Sequence, residues 1–318
     1  MSQNIDHSSS IADAPPNNWV DRFAPQSLKP YLKLARFDRP IGIWLLLFPC
    51  WWGQALAELA ADRAVPHLWY LLLFAIGATV MRGAGCTWND IVDRDYDGRV
   101  RRTALRPIPA GQVSGKSAFG FAVLLSLTGF LVLIQFNAFT IWLGIGSLGL
   151  VALYPFAKRF TYWPQLVLGL TFKWGALVGW AAIQGGLSLV PVLLYAGCVF
   201  WTIGYDTIYA HQDKDDDAVL GLKSTALRFG SSTPRWLVLF YGSAILCWLI
   251  AAGSAGAGIL TFLALSAVAL HLSWQVMTLK TDEGDNCLVR FKSNRTVGWL
   301  FFLGLIGDMT LQHVSSQI

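Results

Sequence analysis

Nine apolar stretches, at 41–61, 68–88, 117–136, 139–156, 165–183, 188–209, 234–252, 258–277 and 297–311, divide this 318-residue sequence. Most approach the roughly 20 residues that a helix needs to cross the hydrocarbon core of a bilayer. Charged residues make up 14% of the chain, against about 25% in an ordinary soluble domain. A water-soluble fold would lack the polar surface it needs. The expectation is an all-α, polytopic membrane bundle of nine transmembrane helices around a central apolar cavity, occupying residues 29–318.

The connections sort by charge. Those at 135–137, 184–186 and 253–256 are short and uncharged. The alternate ones carry the basic residues of 94–116, then Lys158 and Arg159, then Lys214, Lys223 and Arg228, then Lys280, Arg290, Lys292 and Arg295; Lys29, Lys33, Arg36 and Arg39 precede the first stretch. The positive-inside rule places all of these, with the N-terminus, on the cytosolic side. Topology therefore accounts for the net charge of +5, which gives no reason to expect a nucleic acid partner. The cysteines Cys50, Cys86, Cys198, Cys247 and Cys287 stand singly and suit packing, not zinc or disulfides. Residues 1–28 are polar, with Asp6, Asp13 and Asp21 against Arg22. They fit neither a signal peptide nor an Arg-rich transit peptide. A disordered leader and a bacterial cell inner membrane are expected, with the mitochondrial inner membrane as the alternative.

The chemistry concentrates at two acidic stretches, each following an apolar run. In the first, Asn89, Asp93 and Asp97 are four residues apart, so a helix that continues past the membrane stacks them on one face, where the two carboxylates repel. A Mg²⁺ ion offsets that repulsion, and it binds through one or two carboxylates plus water and substrate phosphates. In the second, Asp213 and Asp217 repeat the spacing, and Tyr209 and Tyr205 extend the stripe into the membrane. Asp93, Asp97, Asp213 and Asp217 are the expected metal ligands and catalytic residues. Thr103-Ala104-Leu105-Arg106 recurs as Thr225-Ala226-Leu227-Arg228, which suggests two related units whose acidic ends face one another.

Arg82 lies two helical turns before Asn89, roughly 10 Å deeper on the same side. An arginine inside a span usually faces the bundle interior and serves a substrate or a partner. Placed below a metal–diphosphate site, it suits an anionic co-substrate; the bland alternative is a buried ion pair or snorkelling to the headgroups. Lys158 and Arg159 clamp phosphate oxygens or merely signal topology. Lys173, mid-span, points into the cavity or pairs with an acid. His271 and Asp308 suit structural hydrogen bonds.

The run Asn89-Asp90-x-x-Asp93-x-x-x-Asp97, followed by Gly98-x-x-x-Arg102-Thr103-x-x-Arg106-Pro107, resembles the first aspartate motif of the UbiA-type intramembrane prenyltransferases. Tyr205-Asp206-x-x-Tyr209-Ala210-x-x-Asp213-Lys214-x-Asp216-Asp217, with Lys223-Ser224-Thr225, resembles the second. Asp38-Arg39-Pro40-Ile41-Gly42, Met81-Arg82-Gly83-Ala84-Gly85-Cys86 and Tyr154-Pro155-Phe156-x-Lys158-Arg159 support the likeness, which extends over nearly all of the chain after residue 28. The resemblance implies a Mg²⁺-dependent enzyme that moves a polyprenyl group from polyprenyl diphosphate to the ring carbon ortho to the hydroxyl of 4-hydroxybenzoate, a step of ubiquinone biosynthesis. It implies substrate-binding roles for Arg82, Asn89, Arg102, Lys158, Arg159, Tyr209 and Lys223. Alternatives are another acceptor on the same fold (a naphthoate, haem, chlorophyllide or glycerol phosphate) or a divalent-cation transporter. Against the transporter, carboxylates in such proteins lie near the midplane, whereas these lie at one basic face.

Overall fold

The structure is a computed structural model and describes residues 14–15, 17–99 and 103–315. Among them there is no strand. Two short helices, α1 (Trp19–Phe23) and α2 (Lys29–Leu34), lead into α3 (Ile41–Leu59) and α4 (Leu68–Asp97). Then come α5 (Gly115–Leu133), α6 (Ala138–Leu153), α7 (Ala157–Phe160), α8 (Pro164–Phe172), α9 (Gly175–Gln184) and α10 (Leu189–Ala210). The chain continues through α11 (Lys214–Val219), α12 (Thr225–Phe229), α13 (Thr233–Ser254), α14 (Ile259–Met277) and α15 (Gly284–Ser315).

Eight helical stretches among the described residues are long and apolar enough to cross a membrane, beginning at Leu68–Asp97 and ending at Gly284–Val314. An all-helical membrane bundle is therefore the architecture. The expected first span, α3, falls outside that set. Its 19 residues carry Gln54 and Glu58, and these polar groups lower its hydropathy. Both are buried and act locally: Glu58 accepts from the His67 backbone N–H at 2.9 Å, and Gln54 donates to the His67 carbonyl at 3.1 Å.

Three further expectations need correction. Of the disordered leader, residues 1–13 lie outside the described residues, but Trp19–Phe23 is helical. Asn18 caps it by accepting from Asp21 N–H, and Lys33 pins Asp21 at 2.7 Å. The fifth stretch is not one helix: it breaks at Lys173-Trp174 between α8 and α9. The last is far longer than 297–311, because its basic stretch joins the apolar one in the single helix α15.

Two packing devices fix the bundle. Trp52, Trp201, Trp248 and Phe301 are fully buried, with Trp52 centroids 4.9–5.4 Å from the other three; this aromatic knot joins α3, α10, α13 and α15. The Trp52 indole donates to the Gly298 carbonyl and Trp201 to Asn294 Oδ1, at 3.1 and 2.7 Å, so neither buries a bare N–H. Elsewhere α3 and α9 touch backbone to backbone. A Cβ on Gly179 would strike the Cys50 carbonyl, and one on Gly53 the Ala176 carbonyl. In lipid, where burial of apolar surface supplies no drive, such small-residue contacts are what hold helices together. Side chains such as Leu127, Leu131, Trp142, Leu263 and Leu270 remain exposed on the outside, as a lipid-facing surface requires.

Candidate active site

Helix α4 runs unbroken through its apolar part into the acidic stretch, so the four-residue spacing holds: Asn89 Nδ2 donates to Asp93 Oδ2 at 3.1 Å. The second stretch behaves differently. Helix α10 stops at Ala210, a tight 3₁₀ turn covers His211–Asp213, and α11 begins anew at Lys214. Asp213 and Asp217 are thus not on one continuous helix as the spacing suggested. Both nevertheless face α4 across one cavity of about 230 Å³, lined by Asn89, Asp93, Asp97, Arg106, Lys158, Tyr209, Asp213 and Asp217 among others.

Basic side chains already hold the acids of α4. Lys158 Nζ is 2.7 Å from Asp93, and Arg159 reaches the same carboxylate at 3.5 Å. Arg106 is 2.7 Å from Asp97 and 3.2 Å from Asp90. Asp90 itself is fully buried and also takes Arg36 at 2.6 Å. Asp90 is therefore the hub of a structural ion network under the cavity. Arg36 reaches it from a left-handed backbone conformation, φ 63°, a costly one for a residue with a Cβ.

A second cavity of about 210 Å³ shares Asn89, Arg106, Tyr154, Leu168, Asp206 and Tyr209 with the first, and adds Arg36, Arg39, Arg82 and Lys292. Arg82 lies here with its guanidinium 4.8 Å from the Phe172 ring centroid, and its buried Nε has no hydrogen-bond partner among the described residues. No carboxylate among the described residues lies within ion-pair distance of it, although Asp206 lines the same cavity and attracts it at longer range. Gly42 makes the room: a Cβ there would come within 2.5 Å of Arg82 Nε. At the mouth, Asp38 and Arg39 are buried neighbours, 3.6 Å apart. Burial raises the Asp38 carboxyl above its ordinary range and lowers the Arg39 guanidinium to about 10, so Arg39 stays cationic at neutral pH.

A third cavity, again about 230 Å³, is almost wholly apolar. Tyr154 is common to all three, and Leu46, Phe74, Met81, Phe130 and Phe172 are among its walls. A polar chamber, a cationic chamber and an apolar chamber therefore meet at one tyrosine.

Of the expected site residues, Asp93, Asp97, Asp213, Asp217, Asn89, Lys158 and Tyr209 share the acidic cavity, and Arg82 lies in its neighbour. Arg159 sits beside them, donating to the Val92 carbonyl at 2.8 Å. Lys223 does not join: its Nζ donates to the Phe160 carbonyl at 3.3 Å and lies over the Tyr162 ring. Arg102 lies outside the described residues. Lys173 lines none of the three cavities and forms no direct ion pair among the described residues, Asp206 acting on it only at longer range; it is fully buried, 2.6 Å from the Leu45 carbonyl and against the Trp201 and Tyr205 rings. Arg36, Arg39, Arg106 and Asp206 were not singled out. All four stand in quoted motifs or basic clusters, but nothing in spacing alone turns them inward. His271 and Asp308 are structural: His271 pairs with Ser293 at 3.1 Å, and Asp308 accepts the Gly258, Leu260 and Thr261 N–H groups at the start of α14.

The donor set suits Mg²⁺, whose preferred ligands are hard carboxylate oxygens. Among the described residues no three acids, cysteines or histidines converge tightly enough to hold an ion by themselves.

Residues 46–306 match the model of the UbiA prenyltransferase family. The chain is 46% identical over 309 residues to the mitochondrial 4-hydroxybenzoate polyprenyltransferase of Caenorhabditis elegans, covering 96% of this chain and 83% of that protein. It is 49% identical over 284 residues to the human one, covering 89% and 76%. A solved UbiA homologue from Aeropyrum pernix superimposes with a TM-score of 0.70 at 25% identity, over 83% of this chain and 98% of that one. A homologue from Archaeoglobus fulgidus, bound to DMAPP and Mg²⁺, does so at 0.61 and 18%, over 88% and 99%. Both curated relatives are mitochondrial proteins by name, which contradicts the expected bacterial inner membrane. The composition of the first 28 residues was an unsafe guide to compartment.

Proposed function

The chain belongs to the UbiA prenyltransferase family, and from that premise we propose that it is the Mg²⁺-dependent transferase that joins a polyprenyl group to 4-hydroxybenzoate. The substrates follow from relatives that carry this activity in their names at 46–50% identity. The observation that carries the reading in the structure is the junction at Tyr154, where acidic, cationic and apolar chambers adjoin.

Asp93, Asp97, Asp213 and Asp217 would hold Mg²⁺, which when bound neutralises the diphosphate and makes it a better leaving group. Lys158, Arg159 and Arg106, now paired with Asp93 and Asp97, are within reach of phosphate oxygens and stabilise the same developing charge. The apolar chamber takes the polyprenyl tail and keeps water from the allylic cation. Arg82, with an unpartnered Nε and an aromatic ring against its face, takes the carboxylate of the acceptor. Its ring then lies between that arginine and the diphosphate, with Asn89 and Tyr209 beside it. Arg102 is a further phosphate ligand on the family motif alone, and Lys223 is withdrawn.

Helix α3 is the ninth span in this reading. Its 19 residues rise about 28 Å, close to the roughly 30 Å hydrocarbon core, and it packs against α9, α15 and α4. Residues 29–318 then form one nine-span domain behind a polar leader. The test is incubation of membranes containing the protein with labelled 4-hydroxybenzoate and a series of polyprenyl diphosphates, with and without chelator. Prenylated product that vanishes on chelation is expected. Product with a naphthoate or a glycerol phosphate, and none with 4-hydroxybenzoate, would overturn the acceptor.

A further inference from the structure

Helix α3 contains Pro49. A proline has no N–H, so the carbonyl four residues earlier, that of Leu45, loses its place in the helical ladder. Inside a membrane an unsatisfied carbonyl is costly, and some other donor must reach it. The donor is Lys173, whose Nζ lies 2.6 Å from the Leu45 oxygen. The same ammonium stands 4.6 Å from the Trp201 ring centroid and 5.3 Å from that of Tyr205, so its charge is met by one carbonyl and two ring faces. Among the described residues no carboxylate lies within ion-pair distance of it, and Asp206 acts on it only from farther off.

The residue that fills the gap in α3 is also the residue at which α8 ends and α9 has yet to begin. Phe172, its immediate neighbour, is the ring beneath the Arg82 guanidinium. On the other side of the break, Gly175 and Gly179 are pressed against Cys50 of α3, which keeps α9 in close contact with α3 beside the break. We propose that Lys173 is a positioning residue: by satisfying the carbonyl freed by Pro49 it locks the α8–α9 break at one height, and so sets Phe172 under Arg82. Lys173 touches no substrate. Its action passes through Phe172, and the kinetic part of the inference rests on the reading of Arg82 as the acceptor's carboxylate ligand.

Pro49 and Lys173 are then a coupled pair, and the coupling is testable without the acceptor. An alanine at position 49 supplies the missing N–H from within α3, so the lysine is no longer needed. Four proteins are compared in membranes and in detergent: wild type, Lys173→Met, Pro49→Ala and the double variant. Methionine also removes the cost of burying an ammonium, so the sign of the stability change in Lys173→Met alone decides nothing; the non-additivity does. Thermal unfolding is expected to show the double variant more stable than the two single changes sum to. Lys173→Met is expected to raise KM for 4-hydroxybenzoate by roughly tenfold, with KM for the prenyl diphosphate unchanged, and Pro49→Ala in the same chain to recover most of that loss. Additive unfolding temperatures would overturn the coupling, and a KM raised in Lys173→Met that Pro49→Ala does not recover would overturn the claim that the loss runs through the freed carbonyl. Non-additive unfolding with an unmoved KM would overturn the positioning of Arg82 and leave the structural pair standing. Loss of affinity for the acid in Arg82→Ala, measured alongside, separates failure of the positioning from failure of the Arg82 reading.

Discussion

Lys158 Nζ lies 2.7 Å from Asp93 Oδ2, and the two residues come from different helical segments, α7 and α4, on facing walls of one cavity. The lysine covers an oxygen that the metal would use. It is about a quarter exposed where Asp93 is almost completely buried, at 26% and 2% for the side chains, so the lysine is the partner free to move. A cation that releases the carboxylate when metal arrives, and follows the diphosphate instead, serves both states with one side chain. Lys158→Ala is expected to raise KM for the prenyl diphosphate by roughly tenfold. It also leaves Asp93 less encumbered, so half-maximal Mg²⁺ measured without diphosphate, by calorimetry on the detergent-solubilised protein, should not rise. A weaker metal affinity in this variant would show that the lysine supports the ion site.

The carboxylates themselves give the plainest expectation. Asp93→Ala and Asp213→Ala, one on each wall, should each lower turnover by a factor on the order of a thousand while the protein still inserts. Product formation by purified variants, with excess Mg²⁺ present, reads this directly. Wild-type rates from either one would remove that residue from the metal site.

Asp90 is different in kind, although it stands next to Asn89 in the same motif. It is fully buried between Arg36 and Arg106. Removing one member of a buried ion network strands the others at a cost of about 3–5 kcal/mol. Asp90→Ala should therefore lower the unfolding temperature in detergent by several degrees, whereas Asp93→Ala, whose partners are closer to solvent, should lower it far less. Equal shifts in the two variants would remove the distinction between scaffold and site.

How much of this was legible beforehand divides along physical lines. Apolar runs near bilayer length and alternating loop charge are one-dimensional signals, so the helical membrane bundle could be read from them. The spacing of Asn89, Asp93 and Asp97 was equally readable because α4 continues unbroken. The second stripe was read as a continuous helix and is not, since nothing in the letters His211-Gln212-Asp213 announces a 3₁₀ turn. Lys173 shows the limit most clearly. Its partner is the carbonyl of Leu45, 128 positions away, and a backbone atom leaves no trace in side-chain patterning. Only Pro49 hints that such a carbonyl needs a donor. Lys223 failed for a similar reason: its place in the motif says it is near the site, but its Nζ turns to the Phe160 carbonyl.

Gly42 offers the finest probe of the acceptor pocket, because the three atoms nearest to a methyl group placed there all belong to the end of Arg82. A methyl group at position 42 would stand 2.5 to 2.7 Å from the Arg82 guanidinium atoms, closer than van der Waals contact permits. The obstructing atoms are the end of a flexible side chain, so relief is available by swinging the guanidinium off the Phe172 ring instead of by moving backbone. Stability should then change little, within about 1 kcal/mol. The guanidinium, however, no longer points where a carboxylate would meet it, and a misplacement of about 1 Å is enough to cost up to a hundredfold in rate. Gly42→Ala should raise KM for 4-hydroxybenzoate toward the value for Arg82→Ala, with KM for the prenyl diphosphate and the unfolding temperature close to wild type. The double variant Gly42→Ala with Arg82→Ala should be no worse than Arg82→Ala alone, since the methyl group then has nothing left to displace. Additive losses in that pair would mean that Gly42 acts on the substrate directly, and that Arg82 is not what its missing side chain makes room for.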